Sequence, residues 1–258
     1  MTITSEALTT FITSYLWPLF RIGALIIVAP IFGTHSVPRN VKMGFAVILT
    51  LAIVPVLPPA PIIDPLSADG LLITIHQVVI GLSMGFMIKM VFSALETGGH
   101  VVGQTMGLGF AQMVDPASGV AVPVMSQFYT VMATLVFLAL NGHLILIEVL
   151  VESFHTMPIA AASMPVDGIW SLVSWASWIF SGAVIIALPA VSALLLVNLA
   201  FGVMMRAAPQ LNVFAIGFPL SLTLGFVFIF VTLPIFLPQF TDLLDSAFAT
   251  VKNLITIR

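Results

Sequence analysis

The sequence predicts an all-α protein of an integral membrane complex. It has about six long apolar helices, arranged in hairpins, and a glycine-rich loop between the third and the fourth. Composition is the first reason: 60% of the 258 residues are hydrophobic and 7% are charged, whereas soluble domains carry roughly 25% charged residues. The chain also contains a succession of apolar segments, and most of them are at least as long as the ~20 residues that span a bilayer. Six glycines between Gly98 and Gly119 then interrupt this pattern.

The six apolar segments cover residues 11–32, 43–57, 71–95, 124–151, 169–205 and 213–237. The first ten residues contain no basic side chain, so we expect the first segment to be a retained helix rather than a cleaved signal peptide. Proline-rich turns end the second segment and follow the fourth. The tail, 238–258, is predicted to be an amphipathic helix. Its apolar residues recur at the spacing that places them on one face of a helix: Phe240, Leu243, Leu244, Phe248 and Val251.

The fifth segment is longer than a bilayer requires, since Pro189 is its sole interruption. A continuous helix over 169–205 would be ~55 Å long, against a hydrocarbon core of ~30 Å. Tilt, with Trp170, Trp175 and Trp178 at the interface, is one interpretation. The other is that the helix stands against partner subunits and extends beyond the bilayer.

Basic residues mark alternate connections: Arg39 and Lys42 after the first segment, Lys89 before the glycine-rich stretch, and Arg206 after the fifth segment. The positive-inside rule places these connections in the cytoplasm and both termini outside.

Composition and motifs also exclude several classes of function. The net charge of −3 indicates no nucleic-acid partner. The chain has no cysteine, and its five histidines do not pair at helical spacing, so we expect no metal site. Zinc-protease, nucleophile-elbow and phosphate-loop motifs are also absent. We therefore expect a protein that is not an enzyme and needs no cofactor.

Small residues at four-residue spacing enter the glycine-rich stretch: Gly99, Gly103, Gly107 and Ala111. Such a row allows helix backbones to approach closely, and we interpret it as helix packing up to Gly103. Beyond that point, further glycines and the Asp115-Pro116 turn predict a loop. Close to a bilayer, irregular backbone is tolerated where it is buried in protein or lines an aqueous cavity.

Methionines and isolated charges in the apolar segments each allow two interpretations. Met84, Met87 and Met90 share one helix face, either as gap-filling core or as a deformable lining.

Charges are costly within a bilayer and face partners, cavities or interfaces. We expect Arg21 to form a buried pair or a subunit contact, and Lys89 to extend towards a helix end. Lys89 and Glu96 lie on one helix face, two turns apart.

Four blocks resemble the FliR family of flagellar export proteins, homologous to the SctT/SpaR proteins of injectisomes: WPLFRIGALIIVAPIFG (17–33), VPRNVKMGFAVILT (37–50), GQTMGLGFAQMVDP (103–116) and RAAPQLNVFAIGFPL (206–220). The resemblance implies a gate built with FliP and FliQ subunits, in contact with FlhB, in the bacterial inner membrane and the flagellar basal body. Unfolded export substrates would pass through it.

The resemblance also implies a division of the chain into a FliP-like part (1–168), a FliQ-like hairpin (169–240) and the tail (241–258). The family's pore plug corresponds to about 106–120 here. It includes Phe110 and Met113 as bulky sealing residues, with Met106, Gly107, Leu108, Gly109, Asp115 and Pro116. Arg21, Lys89, Glu96 and Arg206 are candidates for assembly contacts or buried charges.

The alternative function is a small-solute secondary transporter, with a helix broken at 98–116 and Lys89, Glu96 and Asp115 lining the substrate site. Inverted repeats would favour a transporter, and the two halves of the sequence show none. Asp115 either caps the turn before Pro116 or takes part in proton coupling.

Overall fold

The computed structural model describes residues 5–34, 37–109, 111–114, 121–160, 166–207 and 213–256. Within them the chain is helical apart from its turns and one short hairpin. The elements are α1 (Ser5–Val28), α2 (Arg39–Ile53) with a 3-10 turn (Val54–Val56), α3 (Ala68–Thr105), β1 (Gln112–Val114), β2 (Ala121–Pro123), α4 (Val124–Ala139), α5 (Gly142–Thr156), α6 (Val166–Trp175), α7 (Trp178–Ala207) and α8 (Val213–Thr256).

The predicted membrane-protein class is confirmed. Within the described residues, five helices are long and apolar enough to cross a membrane, or six if α4 and α5 form one bent span. These helices differ in burial within the chain. In the most apolar window of α3, 67% of the residues are buried, against 28% for the span containing α7 and 22% for α8.

Helix α3 runs ten residues past the predicted segment and therefore contains Gly99 and Gly103. The row of small residues up to Gly103 is thus helical, as predicted. Met84, Met87 and Met90 are fully buried on this helix, which agrees with gap-filling core. Lys89 lies in the middle of α3 rather than at a connection, so it does not mark a loop between spans.

The predicted fourth segment is two helices, because the chain bends by 66° between α4 and α5. Asn141 occupies the left-handed region at the bend, with φ +56°, which asparagine tolerates better than most residues. The prediction of one segment over 124–151 did not use the Asn141-Gly142 dipeptide, which is typical of turns.

The prolines of the last two segments do not end helices. Pro189 lies inside α7, and the break in that region falls at Ala176–Ser177 instead, between α6 and α7. Helix α8 passes through Pro219, Pro234 and Pro238 and includes the predicted tail as far as Thr256. The five predicted stripe residues of the tail are all buried, as amphipathic spacing predicts.

The described residues group into two compact units, and each unit contains several stretches of the chain. The first unit comprises Met1–Lys89, Phe137–Trp175 and Ser246–Arg258, and the second comprises Met90–Val136 and Ala176–Asp245. The division of the chain implied by the family resemblance stays a prediction.

In the first unit, α1 and α3 run parallel and approach closely. The Trp17 indole N–H donates to Thr74 Oγ1 at 3.2 Å. A Cβ built on Gly81 would collide with the carbonyl oxygen of Arg21, and one on Gly85 would lie 2.9 Å from that of Leu25. The absence of side chains at these glycines therefore permits backbone contact between the helices.

In the second unit, an aromatic cluster joins the start of α4 to α8. Tyr129 contacts Phe236 with ring centroids 5.8 Å apart, and Phe236 stacks on Phe240 at 5.9 Å. Phe240 meets Phe92 of α3 edge-on at 6.1 Å. These contacts position α3, α4 and α8 around the connection between α3 and α4.

Candidate functional site

The glycine-rich loop begins at a helix cap. Gly107 has φ +85°, a conformation that glycine adopts at little cost. The Gly107 N–H donates to Gln104 O at 3.1 Å and the Leu108 N–H donates to Gly103 O at 2.9 Å. This pair of bonds is the Schellman motif that satisfies the last carbonyls of a helix, so the helix ends here because of local sequence.

The loop then forms a short antiparallel hairpin. Gln112 pairs with Pro123 and Met113 with Val122, and the Val124 N–H donates to Ala111 O at 3.2 Å. The Met113 side chain is 42% exposed, whereas Leu108 and Gly109 are half-buried. The other predicted plug residues, Phe110, Asp115 and Pro116, lie outside the described residues.

The first root of the loop packs against α8. Met106 is fully buried, and a Cβ built on Gly225 would lie 2.6 Å from Met106 Cγ and 2.7 Å from Met106 Cε. A Cβ on Gly107 would lie 3.0 Å from two ring carbons of Phe218. Phe218 and Gly225 are seven residues apart, so they share a face of α8. We name the Met106–Gly225 contact the Met106 joint.

The second root of the loop packs against α3. A Cβ on Gly99 would lie 2.8 Å from Met125 O, and one on Gly103 would lie 3.2 Å from Met125 Cβ. The Ser126 hydroxyl donates to the Glu96 carbonyl oxygen at 2.9 Å. We name this contact, between Met125 on α4 and the two glycines on α3, the Met125 joint.

The contacts at these roots are packing contacts and a side-chain hydrogen bond to backbone. Gln104 Nε2 and His100 Nε2 are 3.0 Å apart, one turn before the loop. Within the part of the chain that the structure describes, no group of three or more His, Asp or Glu side chains could hold a metal ion.

Arg21 is fully buried on α1 and has neutral acceptors as its hydrogen-bond partners. Its Nε donates to Gln77 Oε1 at 2.8 Å, its Nη1 to Ser153 O at 2.8 Å and Ser153 Oγ at 3.1 Å, and its Nη2 to Met157 O at 2.9 Å. The guanidinium carbon lies 4.2 Å from the centre of the Phe154 ring.

The Arg21 contacts include carbonyl groups at the end of α5, where the helix dipole favours a cation. The cation–π contact with Phe154 adds a further attraction. Arg21 therefore joins α1, α3 and α5 within the first unit.

The other predicted charges are not among the residues to which Arg21 donates. Lys89, Glu96 and Arg206 are exposed on the isolated chain. Lys89 and Glu96 occupy α3, and Arg206 lies in the last turn of α7.

Sequence reasoning missed Gly225, Phe218, Gln77 and Ser153. Gly225 is a single small residue within an apolar segment, and no sequence pattern near it indicated a contact with Met106. The two polar residues carried no motif, because their role depends on Arg21, which is 56 and 132 positions away along the chain.

Comparisons with known proteins agree on one family. The family described as Bacterial export proteins, family 1, matches residues 12–247 of this chain. The Flagellar biosynthetic protein FliR of Escherichia coli (strain K12) is 40% identical over 254 residues, which cover 98% of this chain and 97% of the relative.

More distant relatives carry the same name. FliR of Pectobacterium carotovorum subsp. carotovorum is 34% identical over 258 residues, which cover 99% of this chain and 98% of the relative. FliR of Bacillus subtilis (strain 168) is 28% identical over 95% of each chain. The similarity thus extends over both compact units.

Proposed function

This chain belongs to the bacterial export proteins, family 1, and we propose that its loop between α3 and α4 closes the channel of a flagellar protein-export gate. The chain is a membrane-associated subunit of the flagellar export apparatus. We place it in the bacterial inner membrane, within the basal body, where unfolded substrates cross.

The observation that carries the proposal is the construction of the loop. In a chain of long apolar helices, a short hairpin is interposed between α3 and α4, with buried methionines at both roots and the half-exposed Met113 on the first strand. Apolar side chains that fill a narrow pore exclude water and ions by packing and dewetting. Such closure requires no bond chemistry.

We propose FliP and FliQ as the membrane partners and FlhB as a cytoplasmic one. Large apolar side chains that stay exposed along α7 support a hetero-oligomer, among them Leu188, Leu195, Leu196 and Leu199. Faces of this kind are typical of helices that a membrane or partner helices cover. Exposed Lys89, Glu96 and Arg206 are candidates for contacts with these partners.

The residues that the structure describes do not favour the alternative of a small-solute transporter. In that mechanism the substrate site lies at the ends of broken helices. Lys89 and Glu96 lie on a continuous stretch of α3, which ends only at Thr105.

Ion conductance of cells that contain the assembled gate tests the closure. We expect that deletion of residues 107–119 makes the membrane leaky while FliP and FliQ still co-purify, because the apolar obstruction is gone. A tight membrane around a fully assembled gate would contradict the proposal.

A point variant keeps the test informative if the deletion prevents assembly. We expect Met113→Asn to raise conductance, because an amide hydrates the apolar constriction. Met205→Asn is the matched control, since Met205 is 44% exposed at the end of α7 against 42% for Met113. Equal conductance of the two variants would place the closure elsewhere.

A further inference from the structure

The two roots of the α3–α4 loop are held by different kinds of contact. Both place a buried methionine against glycine on a neighbouring helix. The Met106 joint attaches the loop to α8, and the Met125 joint attaches it to α3, the helix from which the loop begins. The two joints therefore differ in which helix would have to move for the contact to separate.

The Met106 joint contains side-chain packing and uses no backbone donor of the loop root. The N–H groups of Met106, Gly107 and Leu108 donate to carbonyls of Val102, Gln104 and Gly103, all within α3. Because these donors stay satisfied, α8 can separate from the loop without breaking a hydrogen bond of the cap. The Met106 side chain is flexible and can repack when α8, which carries Gly225, moves away.

The Met125 joint is held by backbone contact and a buried hydrogen bond. Gly99 faces the carbonyl oxygen of Met125 directly, and Ser126, which is 1% exposed, donates to the Glu96 carbonyl. Separation would leave the Ser126 hydroxyl without its partner, which is unfavourable in a buried site. The start of α4 thus stays attached to α3.

We propose that the loop opens at the Met106 joint alone: α8 separates from the loop root, while the Met125 joint holds the loop to α3 and α4. Gly107, in its left-handed conformation at the cap, is the pivot between α3 and the hairpin. The position of α8 therefore controls whether the loop is held. This inference rests on the proposed role of the loop in closing the channel.

Engineered cysteine pairs test the difference between the joints, because the natural chain contains no cysteine. Met106→Cys with Gly225→Cys crosslinks the first joint, and Met125→Cys with Gly103→Cys crosslinks the second as a matched control. The measured quantities are secretion of a flagellar substrate by intact cells and loss of maleimide labelling, before and after oxidation.

We expect oxidation of the first pair to reduce secretion at least tenfold, with recovery on reduction, and oxidation of the second pair to leave secretion unchanged. Unchanged secretion with the first pair fully crosslinked would overturn the proposal. So would equal inhibition by both pairs, because the Met125 joint would then also have to open. Normal secretion in a strain that lacks the chain would instead refute the proposed function itself.

Single substitutions provide a second readout if a cysteine pair prevents assembly. We expect the thiol of Gly225→Cys to react with maleimide several-fold faster in a gate stalled with a substrate than in a resting gate. The thiol of Gly103→Cys should show no such change. Equal rates for Gly225→Cys in the two states would also overturn the proposal.

Discussion

The contact between α1 and α3 and the Met106 joint both depend on glycine, and they show two different uses of the missing side chain. At Gly81 the neighbour is a backbone carbonyl, which cannot move without displacing α1. At Gly225 the neighbour is a methionine side chain with three rotatable bonds. The first contact is suited to permanent packing, and the second is suited to a contact that separates and forms again.

Hydrogen bonding reinforces the same difference. Arg21 beside Gly81 makes four hydrogen bonds: one to Gln77 on α3, two to Ser153 on α5 and one to Met157, the residue that follows α5. The root of the loop satisfies its backbone donors within its own helix. The rigid contact and the contact that we propose to separate thus lie in different parts of the chain.

The largest effect should come from Arg21→Gln, which removes donors from buried acceptors on α3 and α5. Each buried polar group left without a partner costs about 1–3 kcal/mol. We expect a strong loss of thermal stability of the purified gate and of the steady-state level of the chain. Arg39→Gln, at an exposed position on α2, should leave both unchanged, and an equally stable Arg21→Gln gate would show that the cluster contributes little.

A smaller loss of stability should follow Gly81→Ala, because the added methyl group collides with the Arg21 carbonyl and separates α1 from α3. Overpacking of this kind costs about 1–3 kcal/mol. Gly23→Ala on α1 is the control, since a Cβ there meets no atom within 4 Å and alanine favours a helix. Thermal unfolding of both variants measures the difference, and the same melting temperature for both would contradict the rigid contact.

The smallest effect on stability, about 1 kcal/mol, should come from Gly225→Ala, because the flexible Met106 side chain can yield. We expect ion leakage to report this change more sensitively than thermal unfolding. Met106→Ala, combined with Gly225→Ala, should restore part of the stability, because the smaller side chain leaves room for the added methyl group. A double-mutant cycle measures this coupling, and simple additivity would mean that the two residues do not act together.

Much of the fold could be predicted from local patterns. The amphipathic stripe of the tail, from Phe240 to Val251, is buried as its spacing indicates. The loop after Gly103 follows from its glycines, and Gly107 does take the conformation that ends α3. The prolines were poorer guides, because Pro189, Pro219, Pro234 and Pro238 all lie inside helices, which apolar membrane helices tolerate.

The all-α membrane class, the order of the apolar segments and the position of the loop between α3 and α4 could all be predicted from the sequence. Composition and periodicity are local properties, so they are readable without the fold. The neutral acceptors of Arg21, up to 136 positions away, and the contact between Gly225 and Met106 became visible in the folded chain alone. Such pairs depend on how distant helices cross, and no local spacing of residues records that geometry.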